Sequence, residues 1–163
     1  MVLTGKLSTE VGVRAPAGKW FNFLTTQLDH VQNLCEKVHE TKLHHGDDWH
    51  SIANSVKHWT YVIVLCDLIV CEISDGKVQR CEESIEGIDE EKKTIKFNLF
   101  GGDIDEHYKS FKLIIEVIDK KDGAAVKWSL EYEKMNEDIH PPHGYMDYYG
   151  NCTKEMDAYL IKA

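Results

Sequence analysis

From Leu3 to Val13 the chain alternates. Leu3, Gly5, Leu7, Thr9, Val11 and Val13 fall on one parity, with Lys6, Ser8, Glu10 and Gly12 between them. A period of two puts each set on its own face and predicts a half-buried strand. The period then lengthens. Pro16 sits where a first helical turn tolerates it. Beyond it Trp20, Phe21 and Leu24 recur at helical spacing, as do Leu28, Val31, Leu34 and Cys35. Two short consecutive helices are expected there. The period of two returns over residues 38–45, 51–62, 78–88, 94–100, 108–119 and 124–134. Turn chemistry separates the later runs at Ile88-Asp89-Glu90-Glu91, Gly101-Gly102-Asp103 and Lys120-Lys121-Asp122-Gly123. Successive strands joined by short turns make an antiparallel meander.

A last helix is expected from Pro141-Pro142 to the end. Met146, Tyr149, Thr153, Met156 and Leu160 fall three or four apart on one face, with Asp147, Lys154 and Asp157 expected elsewhere. A curved sheet with one apolar face needs a cover, and this is the only long amphipathic helix. The expected class is therefore α+β: a curved antiparallel sheet wrapping the C-terminal helix, two short helices closing one end. One stretch does not fit. Residues 63–73 are apolar, β-branched and poor in charge, and read as extra strand on both sides of a hairpin. Left exposed, they form an edge for self-association.

Composition narrows the function classes. The 163 residues predict a single domain over 1–163. Nineteen basic against 28 acidic side chains give a net charge of −9, which argues against a nucleic-acid partner. No apolar run reaches the ~20 residues of a spanning helix. The first residues lack a charged head followed by an apolar run, so no secretory signal is expected. Five cysteines, an odd number without framework spacing, point to free thiols and a cytoplasmic setting. In that setting the Asn151-Cys152-Thr153 sequon is a chance match.

Several blocks carry a family resemblance: Gly5-Lys6-Leu7, Ser55-Val56-Lys57-His58-Trp59, Gly101-Gly102-Asp103, Glu106-His107-Tyr108-Lys109-Ser110-Phe111-Lys112, and Trp128-Ser129-Leu130-Glu131-Tyr132-Glu133-Lys134. Together they resemble the major latex proteins, plant members of the Bet v 1 / pathogenesis-related class 10 superfamily, in order along essentially the whole chain. The resemblance implies a helix-grip fold, with seven antiparallel strands gripping the terminal helix around a large cavity. It also implies binding of a hydrophobic small molecule of hormone, sterol, flavonoid or alkaloid type, in defence or stress. A few relatives act as isomerases or cyclases of specialised metabolism.

Two departures stand out. The superfamily's glycine-rich loop corresponds to residues 45–55, which hold a single glycine, Gly46; that weakens a phosphate-binding reading. Residues 64–74 interrupt a strand that in the family runs straight into a turn like Asp75-Gly76-Lys77. Removing them restores a short hairpin with an Asp-Gly turn. They are a genuine extension or retained non-coding material, and a segment without function is the favoured reading.

Strand parity selects the cavity wall. Ile95, Phe97 and Leu99 share a face; so do Phe111, Leu113, Ile115 and Val117, and again Val126, Trp128, Leu130 and Tyr132. Trp59, Tyr61, Cys81 and Ile85 join them, with Leu24 and Val31 from the short helices and Met146, Tyr149, Thr153 and Met156 from the last one. A solidly packed core is the plain alternative. The resemblance favours a hollow one, and aromatics and methionine with sparse polar groups suit a ligand pocket. Lys57, Glu83 and Tyr149 are the polar groups expected to orient a guest.

Glu83, His107 and Lys109 are the candidate catalytic acids or bases, because a carboxyl in an apolar cavity rises in pKa and a lysine falls. Alternatively Glu83 pairs with Lys57 or Arg80, or these strand ends lie in water. No cofactor is expected. Strand neighbours His44 and His45 face opposite ways, and neither a His-x-x-x-His helix nor a Cys-x-x-Cys pair occurs, so no metal site is expected. Cys66 and Cys71 also differ in parity and make an unlikely redox pair. Three functions remain: a carrier or sensor of an apolar molecule; a cofactor-free isomerase or cyclase, such as a neopinone-type double-bond isomerase; and an interaction protein working through the 64–73 edge. A monomer or weak homodimer is expected.

Overall fold

The computed structural model describes residues 3–35, 38–45, 56–63 and 77–162. The interruption at 64–74 and most of the 45–55 stretch lie outside the described residues, as do Cys66 and Cys71.

The described strands are β1 (Thr4–Val13), β2 (Val38–His45), β3 (Val56–Ile63), β4 (Lys77–Asp89), β5 (Thr94–Phe100), β6 (Tyr108–Lys120) and β7 (Gly123–Lys134). They form one seven-stranded sheet in the order β1-β7-β6-β5-β4-β3-β2. Every pairing is antiparallel. Strands β2 to β7 are therefore the expected meander, and β1 closes the far side by pairing with β7. Helix α1 (Ala17–Thr26), a short 3-10 turn (Leu28–His30) and helix α2 (Val31–Leu34) link the first two strands. The long helix α4 (His143–Leu160) ends the chain. This is the helix-grip architecture.

Alternation does the work the sequence promised. In β5, Ile95, Phe97 and Leu99 are buried while their neighbours are half-exposed. In β6 the same holds for Phe111, Leu113, Ile115 and Val117. A bulge between Ile85 and Gly87 breaks the β4–β5 register; such bulges bend a strand and help a sheet curve. All these apolar faces turn toward α4, α1 and α2, and form one core with them.

Two local expectations need correction. Gly101-Gly102-Asp103 is more than a turn: it opens a short helix, α3 (Gly102–His107). Gly101 and Gly102 hold φ of 72° and 51°, where side chains other than glycine are disfavoured. A Cβ on Gly102 would run into the Arg80 carbonyl oxygen. The Arg80 backbone N–H donates to Asp103 Oδ2 at 2.7 Å, which ties α3 down on β4.

Asp157, expected on the polar side of α4, is buried. Its Oδ2 accepts the Arg14 N–H at 2.9 Å, and its Oδ1 accepts the Ala15 N–H at 3.0 Å and the Trp20 indole N–H at 3.1 Å. The physical reason is the corner between β1 and α1. Its N–H groups have left the sheet ladder and need an acceptor, and a carboxylate supplies a strong one. Asp157 thus locks α4 to the start of the chain. Among the described residues no helix is long and apolar enough to cross a membrane.

Candidate functional site

The sheet does not press solidly against α4. Between them lies a cavity in which the volume open to the centre of a water molecule is about 70 Å³. At roughly 10–15 Å³ per water on that measure, this is room for about five waters. Leu24, Leu28 and Val31 close it from the helical end. Strands β3 and β4 contribute Trp59, Tyr61, Cys81 and Glu83. Phe97 and Leu99 come from β5, Leu113 and Ile115 from β6, and Trp128 from β7. Helix α4 lays Tyr145, Tyr148, Tyr149, Cys152 and Met156 across the opening.

The sequence-selected residues divide by position. Leu24, Val31, Trp59, Tyr61, Cys81, Glu83, Phe97, Leu99, Leu113, Tyr149 and Met156 stand on the wall. Ile95 and Phe111 are buried behind it. Thr153 is also fully buried, and its hydroxyl donates to the Tyr149 carbonyl at 2.6 Å. Met146 is half-buried at the margin of the core. Lys57 is fully buried and pairs in register with Glu83 across β3 and β4, but does not line the cavity.

His107 ends α3, half-exposed, with Nδ1 3.0 Å from the Asp103 carbonyl oxygen. Lys109 is exposed. Neither is on the cavity wall. Tyr145, Tyr148 and Cys152 were not singled out, because the helical stripe was drawn too narrow. The pattern Tyr145-x-x-Tyr148-Tyr149-x-x-Cys152 is itself a wide apolar stripe and could have revealed them.

The wall is strongly aromatic. Trp128 and Tyr149 stack with ring centres 4.6 Å apart and planes inclined by 9°. Tyr61 meets Tyr145 edge-on at 5.8 Å, and their hydroxyl oxygens lie 2.6 Å apart. Burial pushes the phenols of Tyr61, Tyr145, Tyr148 and Tyr149 and the Cys81 thiol above their ordinary values, so all five are neutral.

Glu83 is the exception. Burial raises its carboxyl from 4.5 to about 7, against the pull of the Lys57 charge and of the nearby Trp59 indole. Neither Glu83 Oε1 nor Trp59 Nε1 completes a hydrogen bond of good geometry among the described residues. Trp128 Nε1 and Gln79 Nε2 are unsatisfied as well. Three of these four polar atoms belong to cavity-lining side chains. An apolar molecule with a small polar end fits such an interior, and a carboxyl at about 7 can hold or release a proton near neutrality. Among the described residues no group of three or more His, Cys, Asp or Glu side chains is placed to hold a metal ion.

Comparison with known proteins agrees with this fold. Residues 2–163 match the pathogenesis-related protein Bet v 1 family. MLP-like protein 43 of Arabidopsis thaliana is 34% identical over 162 residues, spanning 98% of this chain and 94% of that protein. Major latex protein 146 of Papaver somniferum is 29% identical over 97% of this chain and 92% of its own length. The crystal structure of major latex-like protein 151 from Panax ginseng superposes with a TM-score of 0.84 at 30% identity, over 97% of this chain and 98% of that one.

Proposed function

This chain belongs to the pathogenesis-related protein Bet v 1 family, in its major latex-like branch, and from that premise we propose that it carries or senses a hydrophobic small molecule held between the sheet and α4. The observation that carries the reading is the cavity itself. Its wall is apolar and aromatic, yet three of its side chains present buried polar atoms that complete no hydrogen bond of good geometry among the described residues. Leaving such groups unpaired costs about 1–3 kcal/mol each, a cost that a guest with a complementary end relieves. The apolar body of the guest supplies the rest. Burying about 300 Å² of apolar surface gains roughly 7 kcal/mol gross, from which the entropy of association is subtracted. Plant hormones, sterols, flavonoids and alkaloids are the ligand types this reading covers, in a cytoplasmic defence or stress role. Native mass spectrometry of protein purified from its own tissue tests it: one co-purifying small molecule is expected, and protein without any bound mass counts against it.

A second reading has one specific observation in its favour. Glu83, at about 7, is poised to shuttle a proton within an apolar chamber. A cofactor-free isomerase or cyclase would use it as base and then as acid. His107 and Lys109 lie off the wall, so the acid–base role falls to Glu83 alone. Glu83→Gln separates the two readings. A carrier keeps its guest with a modest change in affinity, whereas an enzyme loses about 10²-fold or more in rate.

A further inference from the structure

The polar atoms inside the cavity specify what kind of guest end they accept. Resting on the carrier reading above, we infer that the guest's polar end is an uncharged group that both donates and accepts a hydrogen bond, a hydroxyl above all, and is neither an ammonium nor a carboxylate.

Trp59 Nε1 and Trp128 Nε1 only donate, so the guest must present an acceptor to them. Glu83 accepts when its carboxyl is ionised and donates when it is protonated, and both forms are present near neutrality, so the guest must be able to donate to it and to accept from it. One hydroxyl meets the demands of Trp59 and Glu83 together. Trp59 and Glu83 belong to neighbouring strands, β3 and β4, and the Trp59 indole already acts on the Glu83 carboxyl.

Charge excludes the alternatives. Lys57 pairs in register with Glu83, and its positive charge acts on the same carboxyl. The buried pair is therefore close to neutral. Among the described residues the Cys81 thiol on β4 and the Tyr149 phenol on α4 also act on it, and burial keeps both uncharged. An ammonium that paired with the Glu83 carboxylate would take from Lys57, buried off the wall, its counter-charge. A carboxylate would meet the charge of Glu83. Either would leave one buried charge uncompensated, at a cost far above that of a hydroxyl.

A set of guests sharing one ring system tests this by equilibrium dialysis at neutral pH: 2-naphthylmethanol, 2-naphthylmethylamine, 2-naphthoic acid and 2-ethylnaphthalene. The alcohol is expected to bind roughly tenfold or more tighter than the amine, the acid and the hydrocarbon, because a site built to hydrogen-bond penalises analogues that leave its groups unpaired. In Trp59→Phe and in Trp128→Phe, which keep an aromatic ring and drop the N–H, the alcohol's advantage over 2-ethylnaphthalene, both measured on the same variant, is expected to shrink. Two variants on different strands guard against one failing to fold. If the amine or the acid binds best, or the alcohol gains nothing over the hydrocarbon, this inference is overturned and the carrier reading stands. If none of the four binds, the carrier reading falls with it.

Discussion

Replacing Glu83 by glutamine is expected to remove a loss of stability that the protein suffers as pH rises through neutrality. The sign follows from the direction of the shift. Burial raises the folded-state carboxyl to about 7 from its ordinary 4.5, so the folded protein holds this proton more tightly than the unfolded chain. The stability that goes with it is present in full below the unfolded value and is lost as pH rises through 7. Between about pH 5 and about pH 8.5 the loss from this one group comes to about 2.5 kcal/mol, at 1.36 kcal/mol per unit. Glutamine mimics the protonated acid at every pH and leaves Lys57 in the same electrostatic situation as protonated Glu83 does.

Urea unfolding of both proteins under reducing conditions therefore has a defined outcome. From about pH 5 to about pH 8.5 the stability of Glu83→Gln relative to the parent protein rises by about 2.5 kcal/mol. For a chain of this size that corresponds to roughly 5–10 °C in Tm. A stability difference that does not vary with pH would refute the buried, destabilised carboxyl and the charge inventory built on it.

Further outcomes are expected elsewhere. Asp157→Ala should cost about 2–4 kcal/mol in urea unfolding, because three N–H groups lose a charged acceptor in a buried setting, and Asp157→Asn should recover only part of that. Gly102→Ala should destabilise by about 1–3 kcal/mol, since φ is 51° and the new Cβ meets the Arg80 carbonyl; unchanged stability would disprove the tight contact of α3 with β4. His107→Ala and Lys109→Met, both off the cavity wall, should leave guest affinity within about twofold, below the roughly 1.4 kcal/mol that a tenfold change requires. Leu113→Phe should fill part of the cavity and weaken guest binding about tenfold or more. Its own stability should move by less than about 1 kcal/mol, because the added atoms occupy void and do not overpack a full core.

The fold was legible because each strand carries its parity in plain form. Ile95-x-Phe97-x-Leu99 and Phe111-x-Leu113-x-Ile115 name their buried faces without any tertiary information. Parity could not say which buried residue fronts the void and which lies behind it. Phe97 and Leu99 are on the wall while Ile95, on the same face of the same strand, is not. That distinction depends on where α4 crosses the sheet, a long-range relation.

Asp157 was misplaced for a similar reason. In a helical projection it is a charge among charges, and only the corner at Arg14 and Ala15, over 140 positions earlier, explains its burial. Helix α3 was hidden by its glycines, which mark a turn locally but here supply the positive φ from which a short helix starts. The Glu83–Lys57 juxtaposition was among the expected alternatives, since the two residues lie on the parity of Cys81 and Trp59. Its register needed the β3–β4 pairing.

Xenon pressurisation of a crystal tests the central claim most directly, because xenon enters apolar cavities and needs no knowledge of the natural guest. A xenon site enclosed by Phe97, Leu113, Tyr149 and Met156 is the predicted result. Side chains of α4 and the sheet closed on one another, with no xenon between them, would contradict it.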